Sequence, residues 1–324
     1  MDSDDLGLFG PGSVTWKVHQ EPILIVAGLR SLYLQALHPR AMAGVAQNSN
    51  YRTDAWGRLI RTATYVATTV YGTTAEAETA GRRLRTLHAR MRARDPLTGE
   101  EFRVDDPELL RWVHVAEIES FVSTARRAGL SLTDTEVDGY YTEQRRAAAL
   151  VGLDPADVPG TAAEVADYYR QIRGDLRMTK EAAETALFLT APPIPWKLSL
   201  PVKLGLHLGP PRWAYLGIAG TALGLLPAWA RRLYGGLGLP TTALSADLSV
   251  RALRLALAAL PRRYREGPLQ QAAKERAARR AATRPDHPQP RAGQSSSEAG
   301  SAGRSTAAHG SLPGVCAPAG QVRR

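Results

Sequence analysis

Three short runs of the chain carry side chains whose type and spacing could do chemistry. The first surrounds His88. Ala77, Ala80, Leu84, Leu87 and Met91 recur at helical steps and form an apolar stripe, and His88 falls on it, four residues after Leu84 and three before Met91. An imidazole turned into an apolar interior needs partners for its nitrogens. A carbonyl or hydroxyl of a neighbouring helix is one such partner; a metal bound by the neutral ring is the other. A lone histidine cannot hold a bare ion, but it can hold haem iron, because the porphyrin supplies the equatorial nitrogens. The second run is Arg58-Leu59-Ile60-Arg61-Thr62, in which Arg58 and Thr62 share a helical face with Arg61 beside them. Aimed inward, such a guanidinium and hydroxyl suit carboxylates or a polar pocket; aimed outward, they make a solvated helix end. The third run holds His114 and Glu117 on one face. Carboxylate-bridged di-iron bundles use Glu-x-x-His pairs in duplicate. Here the order is reversed and no second copy occurs, so a core role for His114 stands beside a metal-binding one. His38, just before Pro39, reads as a helix-end histidine placed to bond freed carbonyls. No glycine-rich phosphate loop, nucleophile elbow or His-Glu-x-x-His motif is present.

These runs need helices to position them. Apolar residues from Ile23 to Val45 repeat with helical period, broken at Pro39. A second helix is expected over 55–71, ended by Gly72, and a third from Thr74 to about Arg94. Asp106-Pro107-Glu108 opens another that runs to Ala128. Thr133 and Glu136 are spaced as a capping box for a helix to Leu150. Helices over 161–173, 179–189 and 197–208 follow, then a Gly-Pro-Pro turn at 209–211, an apolar segment to Tyr234 and a last helix over 242–264. Strand signals are limited to short pieces such as Phe102-Arg103-Val104. The fold class is therefore all-α. The expected organisation is an N-terminal segment (1–20), one helical domain (21–267) and a disordered basic Ala/Arg/Pro/Ser/Gly-rich tail (268–324) too poor in apolar residues to offset ordering entropy.

Composition limits the partners. Net charge is +10, but from Pro268 onward nine basic residues face three acidic ones, so most of the excess sits in the tail and no nucleic-acid motif accompanies it. The lone cysteine, Cys316, excludes a disulfide framework, an iron–sulfur cluster or a thiolate zinc site within one chain. The acidic start lacks a signal-peptide pattern, so a cytoplasmic location is expected. The most apolar window, Trp213 to Trp229, is short for a membrane span and flanked by arginines. It reads as a buried helix, with peripheral membrane contact as the alternative. Nothing in the sequence fixes the oligomeric state.

Taken in order, several motifs are similar to those of the MpaB-type oxygenase family, which includes the latex clearing proteins (rubber oxygenases). They are Phe9-Gly10-Pro11-Gly12-Ser13, Trp16, Glu21-Pro22, Leu34-Gln35-Ala36-Leu37-His38-Pro39, Gly57-Arg58-Leu59-Ile60-Arg61-Thr62, Tyr71-Gly72, His88, the run from Asp106 to His114, and Tyr140-Tyr141-Thr142-Glu143. The resemblance spans about residues 8 to 260. It implies a helical domain with a globin-like haem-binding core. It also implies haem b as cofactor, O2 as co-substrate, a small apolar alkene-bearing substrate and an electron donor as a further partner. His88 is placed as the iron ligand, Arg58 and Thr62 beside the haem, and Arg58, Arg61 and Thr62 as the catalytic pocket. Where rubber oxygenases carry a distal lysine ligand this chain has Arg61, which stays protonated and does not ligate iron.

Overall fold

Helices carry most of the chain, and the sequence marks where they begin. The structure, a computed structural model, describes residues 5–191, 210–236 and 238–283. The first helices are α1 (Val14–His19), α2 (Leu24–Ala36), α3 (Pro39–Asn48), α4 (Ala55–Tyr71) and α5 (Thr74–Arg90). A hairpin of β1 (Arg92–Arg94) and β2 (Glu101–Arg103) follows, antiparallel, with Ala93 opposite Phe102. Then come α6 (Pro107–Arg127), α7 (Asp134–Val151), α8 (Ala162–Ile172) and α9 (Lys180–Thr190). The later helices are α10 (Pro210–Gly224), α11 (Ala228–Leu233), α12 (Pro240–Ala258), α13 (Arg262–Arg265) and α14 (Pro268–Thr283).

Side-chain oxygens of Ser13, Asp54, Asp106, Thr161 and Thr179 accept from the freed first-turn N–H groups of α1, α4, α6, α8 and α9. Thr73 with Glu76, and Thr133 with Glu136, form reciprocal capping boxes at α5 and α7. Beneath these starts lies a core centred on the α2–α6 pair. Leu29, Tyr33, Leu34 and Leu37 pack with Trp112, Val115, Ile118 and Val122, and Leu225 and Leu226 close one side. Within it Arg30 is 2% exposed. Its guanidinium donates to Glu119 at 2.5 and 3.1 Å, to Ser120 Oγ at 2.7 Å and to the Leu225 carbonyl at 3.1 Å. Tyr169 O–H donates to the same carboxylate at 3.2 Å. The buried charge thus ties together α2, α6, α8 and the turn after α10, with every guanidinium nitrogen engaged.

Several sequence expectations need correction. The first long helix is two, because Pro39 removes a donor and instead opens α3. His38 caps α3 as an acceptor, taking the Ala41 N–H on Nδ1 at 3.4 Å, rather than bonding freed carbonyls. The N-terminal segment is not separate, since Trp16 is 2% exposed and gives its indole N–H to the Val70 carbonyl. Helix α5 stops at Arg90, and Leu87 on its supposed apolar stripe is 50% exposed. The side of α5 that packs is Ala77 and Gly81; a Cβ at Gly81 would lie 2.8 Å from the Leu150 carbonyl oxygen, so α5 and α7 approach closely only because that position is glycine. Pro210 begins α10 rather than lying in a turn. The basic tail does not begin at 268, because α14 covers Pro268–Thr283 and packs by Leu269 and Ala273 on Trp16, Val70 and Tyr71. The expected helix over 197–208 lies outside the described residues.

The described residues all fall in one compact unit. Ala219, Ala222, Leu225 and Leu226 are wholly buried, so that part of the most apolar window belongs to the core. Among the described residues no helix is long and apolar enough to cross a membrane.

Candidate functional site

The Asp54 carboxylate sets the start of α4. One oxygen caps the helix through the Gly57 N–H at 3.0 Å, and the other takes Arg61 Nη1 at 3.1 Å. Arg61 is thereby held toward solvent, 61% exposed. Arg58, one turn earlier, turns the other way. Arg58, Leu59 and Thr62 line a cavity closed by α2, α3, α6, α9 and α10, with Thr62 at its open rim. The space holds about 810 Å³, open mouth included. Its walls are mainly apolar, with four aromatic rings from Tyr51, Trp56, Phe188 and Tyr215. Arg58 makes no hydrogen bond or ion pair among the described residues. Its pKa is lowered by burial, which Tyr51 offsets and Arg61 reinforces.

His88 lies on the neighbouring helix and does not line that cavity. Helix α5 follows α4 after Gly72-Thr73 and packs against it. The imidazole is half-buried, and its Nδ1 is fully covered without a hydrogen-bond partner. Burial lowers its pKa, against a smaller raising by Asp105, so the ring is neutral near pH 7. That is the form that ligates metals.

On α6, His114 is 9% exposed, its Nε2 is covered and unpartnered, and burial lowers its pKa to about 4. Glu117, on the next turn, makes no hydrogen bond among the described residues, and burial raises its pKa to about 7. Its charge acts on Tyr65 of α4 and Tyr140 of α7. Tyr65 Oη is likewise buried and unpartnered. Among the described residues no three His, Cys, Asp or Glu side chains gather where they could hold a metal ion, so the His114–Glu117 pair lacks the further carboxylates that a di-iron centre needs.

Of the residues singled out in the sequence, the structure brings Arg58 and Thr62 to one cavity. It turns Arg61 outward and leaves His88 on the adjoining helix, outside the cavity lining. Sequence reasoning did not find Tyr51, Phe188 and Tyr215, because the lining comes from six separate elements. Only Trp56, next to Gly57-Arg58, had a neighbouring signal.

The structure is thus a helical domain with a mainly apolar cavity, on whose wall Arg58 is a cation without a partner among the described residues. Residues 16–262 match the family described as ER-bound oxygenase mpaB/B'/Rubber oxygenase, catalytic domain, and the chain belongs to that family. It is by that membership an oxidoreductase of the oxygenase type. Neither a curated protein nor a solved structure gave a match.

Proposed function

We propose that the chain is a haem b-dependent oxygenase that uses O2 to cleave the C=C bond of a small apolar alkene into two carbonyl groups. The observation that carries this reading is His88, a neutral imidazole with a covered, unpartnered nitrogen beside the helix that holds Arg58 and Thr62. The residues suited to the group stand on two neighbouring helices, His88 on α5 outside the cavity lining and Arg58 on α4 within it. His88 would hold the iron through its neutral imidazole. Arg58 would meet a propionate with a charge-assisted bond, and the aromatic cavity would take the apolar substrate. Bound there, haem would supply the activation of O2 that no amino-acid side chain provides. The chain's own part is to fix the ligand's orientation, keep a cation at the pocket wall and exclude water by aromatic packing. Adding both atoms of O2 across a C=C bond and breaking it balances without a further reductant, so an electron donor would be a partner outside the balanced step. The core around the α2–α6 pair would be the globin-like element of this reading. The expected setting is the cytoplasm, with peripheral membrane contact as the alternative, and no nucleic-acid partner is expected.

Turnover of an unsaturated isoprenoid oligomer under ¹⁸O₂ tests this. Carbonyl products are expected with label in both fragments, from protein holding about one haem per chain. Product formed by haem-free protein, or label in only one fragment, would overturn it.

A further inference from the structure

The cavity bounded by α2, α3, α4, α6, α9 and α10 has an uneven polar lining. Most of its polar groups are already engaged. Gln35 Nε2 donates to Ser31 Oγ at 2.7 Å, Thr185 Oγ1 donates to the Met42 sulfur at 3.4 Å, and Tyr215 O–H donates to the Leu189 carbonyl at 2.9 Å. Two groups remain. Tyr51 is 5% exposed, and its hydroxyl is completely covered without a partner. Arg58 is half-buried and makes no ion pair or hydrogen bond among the described residues. Three other embedded arginines differ: Arg30 meets Glu119, Arg127 meets Asp247 at 2.6 Å, and Arg231 donates to the Gly224 and Leu226 carbonyls. An embedded cation without an acceptor is unfavourable, as is an unsatisfied buried hydroxyl. Finding both on one wall points to an acceptor shared by the two.

The Tyr51 ring is also held in place. Phe188 meets it edge-on at 6.2 Å, and Arg52 lies over it at 4.8 Å, itself tied to Glu184 at 2.8 Å. Arg61 does not compete for the site, being paired with Asp54 outside it. Thr62 adds a hydroxyl at the rim.

We propose that Tyr51 and Arg58, with Thr62 at the mouth, form a carboxylate clamp, and that this cavity binds an apolar molecule through one carboxylate head with its body against Trp56, Phe188 and Tyr215. Planar, bidentate guanidinium donors match a carboxylate, and the tyrosine O–H supplies a third bond. The carboxylate can come from an acidic alkene substrate or from a haem propionate; the chemistry of recognition is the same. This deepens the oxygenase reading and rests on it only for the cavity's purpose, because binding needs neither haem nor turnover.

The test is calorimetric titration of the full chain, haem-free and haem-loaded, with undecylenic acid and with the corresponding alcohol. The acid is expected to bind at least about tenfold more tightly than the alcohol. Tyr51→Phe should weaken the acid about tenfold and leave the alcohol unchanged, Arg58→Gln should weaken it further, and Arg58→Lys should restore part of the loss. If the loaded protein still binds the acid, the clamp serves a substrate. If haem instead displaces the acid, and Tyr51→Phe hastens loss of haem but not of its dimethyl ester, the clamp serves a propionate. Equal affinity for acid and alcohol, with Tyr51→Phe silent toward both the acid and haem, overturns the clamp. A protein that cannot be loaded with haem yet holds the acid through Tyr51 keeps the clamp and sinks the haem reading.

Discussion

Among single residues, Glu117 and His114 sit a turn apart in the same helix, and burial acts on them in opposite senses. In the folded chain the Glu117 carboxyl keeps a proton up to about pH 7, whereas its ordinary value is 4.5. The folded state therefore binds more protons than the unfolded one between those limits. The stability this contributes is fully present below 4.5 and is lost as pH rises through 7. Glu117→Gln should accordingly be more stable than the parent at pH 8, by about 1–2 kcal/mol, and close to it at pH 5. Urea titrations at the two pH values check this, and an equal effect at both would contradict the burial. His114 works the other way. Its value falls from 6.5 to about 4, so its contribution is present above 6.5 and is lost as pH falls through 4. The sequence singled out this pair but could not show that no further carboxylates join it, because that depends on which helices lie alongside α6.

At the scale of helices, local chemistry was the most legible part of the fold. Asp106-Pro107, the Thr133–Glu136 box and Gly72 mark boundaries because caps and breakers act within a few residues. The charge that joins helices was not legible. Arg30 falls on the apolar period of α2, and nothing near it in the chain announces Glu119, far away on α6. Removing the carboxylate leaves a nearly unexposed guanidinium uncompensated, so Glu119→Ala should cost about 3–5 kcal/mol. Replacing both partners with Arg30→Met and Glu119→Leu should recover much of that loss. Denaturant midpoints of the single and double variants decide the matter; additive losses would mean that the pair is not coupled.

Over the whole chain, the ordered set of short motifs located the family, while the cavity stayed hidden. Its walls come from six helices whose mutual packing no linear period encodes. Helix α14 was missed for another reason. It is anchored by the small Ala273 and by Leu269, with Arg276 reaching the Tyr71 carbonyl at 2.5 Å, whereas the rest of its surface is alanine, polar and charged residues. A pattern search weighted toward large apolar residues passes over such a helix, although its alanines favour it. Truncation after Gly267 should therefore uncover Trp16, Val70 and Tyr71 and lower the melting temperature by on the order of 5 °C. Truncation after Arg284 should leave it unchanged. Calorimetry of the two shortened chains distinguishes a packed α14 from a dispensable one, and equal melting temperatures would show that α14 contributes nothing.

The central claim is that His88 binds haem iron, and the absorption spectrum tests it most directly. Protein expressed with haem precursor should show a Soret band near ~400 nm. His88→Ala should lose that band while keeping its helical circular dichroism, because alanine favours the helix. Imidazole added to this variant should restore part of the band. His114→Ala should keep the band and lose stability instead. A normal Soret band in His88→Ala, together with its loss in His114→Ala, would contradict the assignment and move the iron to α6.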